Sequence, residues 1–274
     1  MSDLSEQLAL DLERIEVDTW RSITEAAPPE TARSLGVSWC RIGPALAAAA
    51  SRLDVLMYNL VVGLGVGTPA RESDVDQAIQ FFRAAGSPRF MVTLAPHAAP
   101  SAIGSWLTAR GFRLHNHWIK LWRTVSDPAS GVLDPRVREM GPAHAEAFAR
   151  CGVEAFDLPE AGVPWLAATV GRPGFRHYAA FDGDDAVGFG ALYVDGGVGW
   201  LGMASTRPSH RRQGIQSALI ATRLREAARL GCEIVAVETA DDTPEKTNPS
   251  THNLIRMGFQ VAYRRANWVR QTTA

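Results

Sequence analysis

Between residues 177 and 240 the apolar positions first alternate and then change period. Three alternating runs, His177 to Phe181, Ala186 to Val194 and Val198 to Thr206, are joined by Asp182-Gly-Asp-Asp and Asp195-Gly-Gly. Asp-Gly between apolar runs is a hairpin signal, because these residues tolerate the positive φ of a tight turn. The three runs therefore predict an antiparallel meander. From Gln216 to Leu230 the spacing becomes helical: Leu219, Leu224, Ala227 and Ala228 turn inward, and Gly231 stands just past the end as a left-handed cap. Ile234 to Thr239 predicts a return to the sheet. Upstream, Val137 to Met140 reads as a first strand, followed by helices at Ala143 to Phe156 and Trp165 to Val170.

The same order of elements occurs earlier in the chain. Leu107-Thr-Ala-Arg-Gly111-Phe112-Arg-Leu114 echoes Leu254-Ile-Arg-Met-Gly258-Phe259-Gln-Val261, and Gln77 to Ala95 echoes Thr222 to Ala240 at nearly the same offset. Each half thus reads strand, loop, helix, Gly, strand, loop, short helix, Gly-Phe, strand, and two copies of one fold explain this economically. Between them, Val125 to Pro135 gathers Pro128, Gly131 and Pro135 with Ser and Asp. The expected organisation is one domain over 1–125, a linker over 126–135 and a second domain over 136–274. The expected fold class is α/β (α+β), each domain a mixed, mostly antiparallel twisted sheet flanked by helices.

Composition narrows the class further. Hydrophobic residues at 46% and charged residues at 21% can bury a sizeable core. Apolar runs such as Ala45 to Ala50 and Leu60 to Val66 fall far short of the ~20 residues of a membrane span. Asp3, Glu6, Asp11 and Glu13 break up the amino terminus where a secretory leader would be basic and then apolar, so a cytoplasmic protein is expected. A net charge of -1 argues against a dedicated nucleic-acid binder. Cys40, Cys151 and Cys232 form no C-x-x-C pair and are expected as buried free thiols. Lys120 and Lys246 are the only lysines, and neither neighbourhood is apolar enough to predict an activated amine. His115 and His117 share a strand face without a third ligand nearby, so no metal is expected.

The chemistry concentrates in the loop after the third meander strand, Thr206-Arg-Pro-Ser-His210-Arg211-Arg212-Gln213-Gly214-Ile215-Gln216-Ser217. A helix opening there offers free N–H groups and the positive end of its dipole, which suits an anion. From Gly196 to Arg225 there is no acidic residue, whereas Arg207, Arg211, Arg212, Arg223 and Arg225 are present. The local field suits phosphates, although a solvated basic helix end has the same composition.

The segment resembles the acyl-CoA signature of the GNAT acetyltransferase superfamily, [R/Q]-x-x-G-x-[G/A], read here as Arg211-x-x-Gly214-x-Gln216 after a strand ending Thr206-Arg207-Pro208. The resemblance covers His177 to Phe259 well and the stretch from Val137 more loosely. It includes Gly258-Phe259 and the Asn-bearing helix Asn248-Pro-Ser250-Thr-His-Asn253. It implies two GNAT-like domains and an acetyl-CoA cofactor. The pantetheine arm would lie along Ala204, Ser205 and Thr206. The amides of Arg211, Arg212, Gln213, Gly214, Ile215, Gln216 and Ser217 would cradle the pyrophosphate. Asn248 and Asn253 would contact the cofactor from the next helix, helix capping being their alternative role.

Against the family pattern, Gln216 replaces a small residue, Leu254 stands where many relatives carry a proton-donating Tyr, and Trp200 where some carry a Glu. The remaining catalytic candidates are Glu238 as base and Tyr263 as proton donor; His210 and His252 are expected on the cofactor-facing rim. In the amino-terminal copy the matching loop, Gly67 to Asp76, sets Arg71 against Glu72, Asp74 and Asp76 and would repel a pyrophosphate. That copy reads as a degenerate unit without a phosphate loop. Gly63, Gly65 and Gly67 lack dinucleotide-motif spacing and read as a glycine-rich strand end. The resemblance thus implies an acetyl-CoA-dependent N-acetyltransferase acting on a primary amine of a small molecule or peptide. The alternatives are, from another class, a catalytically silent acyl-CoA-binding sensor or interaction protein and, third, a phosphate-backbone binder. A homodimer is one option for its assembly.

Overall fold

The computed structural model describes residues 4–125, 133–245 and 247–272, so most of the linker expected at 126–135, and Lys246, lie outside the described residues. Chain order begins α1 (Glu6–Glu25), α2 (Pro29–Leu35), β1 (Val37–Ile42), β2 (Ala45–Ala50), β3 (Leu60–Val62), α3 (Glu72–Ala85), β4 (Arg89–Leu94), α4 (Ile103–Ala109) and β5 (Arg113–Thr124). It continues β6 (Val137–Met140), α5 (Ala145–Ala155), α6 (Val163–Ala167), β7 (Phe175–Asp182), β8 (Asp185–Asp195), β9 (Val198–Thr206), α7 (Ile215–Arg229), β10 (Ile234–Ala240), α8 (Pro249–Arg256) and β11 (Gln260–Gln271). Two compact units form: Met1–Glu25, Pro29–Lys120 and Ala262–Ala274 make the first, and Ala26–Pro28 with Leu121–Val261 the second. Each is a mixed, mostly antiparallel sheet flanked by helices.

The first unit has the strand order β1-β2-β3-β4-β11-β5. β1 and β2 form a hairpin, β3 runs parallel to β4, and β11 pairs antiparallel with β4 from Ala266↔Leu94 to Gln271↔Arg89. The carboxy-terminal strand, assigned to the second domain by the sequence, is therefore part of the first unit. Its pairing satisfies main-chain groups of β4 that would otherwise form an open edge. Phe82 stacks on Phe90, which Phe112 meets edge-on, at the centre of this unit's core. At Gly65 a Cβ would stand 2.6 Å from the Ala99 carbonyl, so the glycine-rich segment serves close packing.

A charged cluster is buried beside that core. Lys120, fully inaccessible, donates to Glu16 at 2.6 Å and to the Leu12 carbonyl at 3.0 Å, and Arg265 pairs with Glu13 and Glu16. Lys120, for which no apolar surrounding was expected, is thus fully buried, in an ion pair with Glu16. Burial opposes ionisation of Glu16, yet Arg265 and Lys120 together hold its carboxyl down at about 2. Removing one partner of such a set costs about 3–5 kcal/mol, because the other charge is left buried.

In the second unit the order is β10-β9-β8-β7-β6, with the end of β5 beside β10. The meander is present, β9 spans the residues expected, and α7 begins one residue earlier than its pattern indicated. Met140, Phe148, Ala179 and Phe189 pack on one face of the sheet; Tyr178, Val187, Ile215 and Leu219 pack on the other. The two units share one geometry at the ends of α3 and α7. Gly86 and Gly231, both left-handed at φ 76 and φ 79, are followed by matching long-turn bonds, Ser87 N–H to Phe82 O and Cys232 N–H to Ala227 O. Of the three thiols expected to be buried, only Cys232 is; Cys40 and Cys151 are half-buried, and burial raises all three pKa values, that of Cys232 to about 11.

Candidate functional site

The site starts from a failure of pairing. β9 and β10 run parallel over only three positions, Val198↔Ile234, Gly199↔Val235 and Trp200↔Ala236, yet β9 continues to Thr206 and β10 to Ala240. Beyond Trp200 the two strands lack each other's hydrogen bonds. β9 also carries a bulge: its register with β8 slips between Phe189↔Ser205 and Ala191↔Gly202, and Met203 takes φ 47. Two residues, Met203 and Ala204, thus oppose Gly190, which redirects the strand and leaves Ala204 exposed.

The arginine-bearing loop follows. Arg207 still bonds back to Val187 O at 2.8 Å, Pro208–His210 makes a single 3-10 turn, and Arg212 and Gly214 both adopt positive φ, 64 and 79. Gly214 precedes α7 with no side chain to cap it, and the first helical bond runs from Ala218 N–H to Gly214 O. The amides of Ile215, Gln216 and Ser217 therefore start the helix without helical acceptors. A Cβ on Gly214 would project into open space.

That space is a cavity of about 1230 Å³. Ala204, Ser205 and Thr206 form its β9 wall, and Arg211, Arg212 and Gly214 through Ser217 its loop wall. Asn248, Ser250, Asn253 and Arg256 close it from α8. Of the residues expected to hold the cofactor, Gln213 alone is not in the lining; it is exposed and reaches Ser209 O at 3.5 Å. The wall sets Arg211, Arg212, Arg223 and Arg256 against Asp241. Uncapped amides, a Cβ-free cradle and excess arginine fit a polyanionic ligand such as a nucleotide phosphate.

Three polar side chains of the wall are engaged within the protein, Asn248 in the helix-capping role given as its alternative. Asn248 caps α8: its Oδ1 accepts from Ser250 N–H at 3.0 Å and its Nδ2 donates to Thr239 Oγ1 and Ala240 O, both at 2.8 Å. Asn253 donates to Gln216 Oε1 and accepts from Arg256, so its amide is engaged within the protein. Gln216, the departure from the motif, also donates to Ser250 Oγ at 3.1 Å and ties the start of α7 to α8.

Glu238 lies on β10 two residues past the last paired position, half-buried, and accepts a hydrogen bond from Trp200 Nε1 at 2.6 Å. Trp200 covers Gly202, where any Cβ would collide with the indole, so both lie on one face. Tyr263, expected as proton donor, is not in the cavity wall. It belongs to the first unit, where its hydroxyl donates to Glu13 at 2.8 Å; burial and that carboxylate push the phenol far above its usual range. A phenol bonded to a buried carboxylate already has an acceptor for its proton, which corrects the expected role. His210 and His252 approach Asp182 and Asp242 at 3.2 and 3.1 Å.

The Trp200 N–H donor to Glu238 has no local signal in the sequence, because its acceptor lies on the neighbouring strand. Arg223 reads in the sequence only as part of the basic stretch, and Arg256 carries no signal of its own; both line the cavity. In the first unit the α3 start is already occupied by acids: Asp74 accepts from Arg71 N–H at 2.8 Å, and Arg110 holds Glu72 and Asp76. No helix among the described residues is long and apolar enough to cross a membrane.

Residues 142–259 match the acetyltransferase (GNAT) family. No curated protein sequence matches the chain. Among solved structures, a GCN5-related N-acetyltransferase from Kribbella flavida shares the fold with a TM-score of 0.61 at 16% identity, covering 90% of this chain and 95% of that one. One from Sphaerobacter thermophilus scores 0.59 at 17% identity over 83% and 80%. A tandem GNAT protein from the clavulanic acid biosynthesis pathway, solved without AcCoA, scores 0.57 at 16% identity over 78% and 75%.

Proposed function

We propose that the second unit is an acetyl-CoA-dependent N-acetyltransferase acting on a primary amine of a small molecule or peptide. The observation that carries this reading is the uncapped start of α7, opening with Arg211 and Arg212 onto a 1230 Å³ cavity at the parting of β9 and β10. When bound, the cofactor supplies an activated acyl thioester. The chain's own groups do the rest. The amides of Ile215 to Ser217 hold phosphate oxygens, and main-chain groups freed at the β9 bulge align the arm. Glu238, kept in place by the Trp200 N–H, takes the proton of the attacking amine. Positioning and proton removal are the main requirements of this reaction. The first unit, whose α3 start carries its own acids, holds no cofactor. The setting is the cytoplasm, with no nucleic-acid partner.

Calorimetric titration with acetyl-CoA tests the cofactor half. Saturable binding is expected for the wild type and none for the Arg211→Glu, Gly214→Asp double variant; an unresponsive wild type overturns the proposal. Thiol release across a panel of amines tests turnover. A second reading, an acyl-CoA sensor without turnover, is favoured by Leu254 and Trp200 at the family's catalytic positions and by the engagement of Tyr263 with Glu13. Binding without thiol release from any amine supports that reading.

A further inference from the structure

Helix α7 buries one charged side chain, Arg223, on the face it turns to the sheet. Arg223 follows Leu219 and precedes Ala227 by four residues each, and it is 2% exposed. Gly190 of β8 leaves room for it: a Cβ there would stand 2.7 Å from Arg223 Cζ. Nε donates to Leu219 O at 3.0 Å, and Nη1 to Ala191 O at 3.0 Å and Gly202 O at 3.5 Å. Nη2 has no acceptor among the described residues, and no carboxylate pairs with the guanidinium. Of the other buried cations, Lys120 and Arg265 have Glu16 and Glu13, and Arg123 donates to the Thr124 and Met257 carbonyls; Arg223 lines the cavity.

A buried cation neutralised by no anion is costly to keep. Burial lowers the pKa of Arg223 to about 10, so it stays charged at neutral pH. Its depth also matters. At 1.5 Å per residue it lies about 12 Å along α7 from Ile215, well inside the phosphate-binding start of the helix. Its bond to Gly202 sets it level with the parted strands, two residues past the last pairing of β9, just as Glu238 is on β10. Gly190 and Gly202 point to opposite faces, so Arg223 and Glu238 flank the opening from opposite sides.

We propose that Arg223 binds the acyl-pantetheine arm, donating from Nη2 to one of its carbonyl oxygens, amide or thioester. The inference rests on the acyl-CoA reading above. An arm running from the start of α7 to the parted strands passes this guanidinium, which grips it on the α7 side while the amine enters from the Glu238 side.

Calorimetry with three ligands tests this: 3′,5′-ADP, which has phosphates and no arm; CoA, which adds the arm; and acetyl-CoA, which adds the thioester carbonyl. In Arg223→Met, acetyl-CoA affinity is expected to fall about ten- to a hundredfold, the value of a hydrogen bond from a charged donor, with 3′,5′-ADP unchanged. A parallel loss for CoA assigns the bond to an amide of the arm, and no loss for CoA assigns it to the thioester. Gly190→Ala, which crowds the guanidinium while keeping its charge, should show the same pattern more weakly and carries the test if Arg223→Met does not fold. Wild-type affinity for all three ligands, or an equal loss for all three, overturns the inference. Failure of the wild type to bind acetyl-CoA overturns the underlying reading before any variant is made.

Discussion

The indole N–H of Trp200 donates to the Glu238 carboxylate across 2.6 Å, bridging β9 and β10 where their main chains stop pairing. A bulky residue at the position of a missing family acid thus presents a donor to an acid on the neighbouring strand. The pair leads to a prediction on rate. Glu238→Gln should keep acetyl-CoA affinity and lower kcat by about 10²- to 10⁴-fold, the range of a lost general base. Trp200→Phe keeps ring bulk and removes the donor, and should lower kcat with acetyl-CoA affinity retained. Wild-type rates in both variants would remove Glu238 from the mechanism.

Gln216 links two helices through Ser250 and Asn253. Gln216→Ala, which returns the motif to a small residue, should lower stability by about 1–2 kcal/mol and leave acetyl-CoA affinity within a few-fold, because the amides at the helix start are retained. Thermal melting and calorimetry on one preparation check both halves. A large loss of affinity would mean that the side chain itself holds the cofactor.

Tyr263→Phe should destabilise the protein by about 1–3 kcal/mol, since Glu13, 1% exposed, loses a hydrogen bond it cannot replace with water. The alkaline limb of the rate profile should not move. A shift of that limb would restore the phenol to the reaction.

His177 is 1% exposed, its Nε2 is 3.1 Å from Thr169 Oγ1, and it packs between Phe148 and Phe175. Burial lowers its pKa from 6.5 to about 3. The folded state therefore holds a neutral ring while the unfolded chain binds the proton. Stability is whole above pH 6.5 and declines as the pH falls toward 3, by up to about 1.4 kcal/mol per pH unit. Glu16, held down at about 2, adds its own loss only below 4.5. Denaturant titrations between pH 6.5 and 5 should show the slope in the wild type and a flatter one in His177→Phe, whose Thr169 hydroxyl keeps its bond to Leu166 O.

Much was legible in the sequence because it rests on local chemistry. Asp-Gly turns made the meander readable, the glycine after each repeat helix encodes a left-handed cap, and Gly214 marks a helix start that no side chain closes. Such features are local, so the chain alone determined the meander, the capped helix ends and the loop that opens α7.

The tertiary structure decided whatever depends on partners far along the chain. Amphipathic spacing in α1 cannot announce that Glu13 and Glu16 are buried, because the cations that make this tolerable, Lys120 and Arg265, arrive more than a hundred residues later. The last strand reads like the end of the second copy, yet unpaired main-chain groups on β4 draw residues 266–271 into the first unit and take Tyr263 with them to Glu13. Arg223 looks like one more arginine of a basic stretch until β8 supplies Gly190 beneath it. Local backbone preferences carry their own signal in sequence; the cost of burying charge depends on what the fold brings alongside.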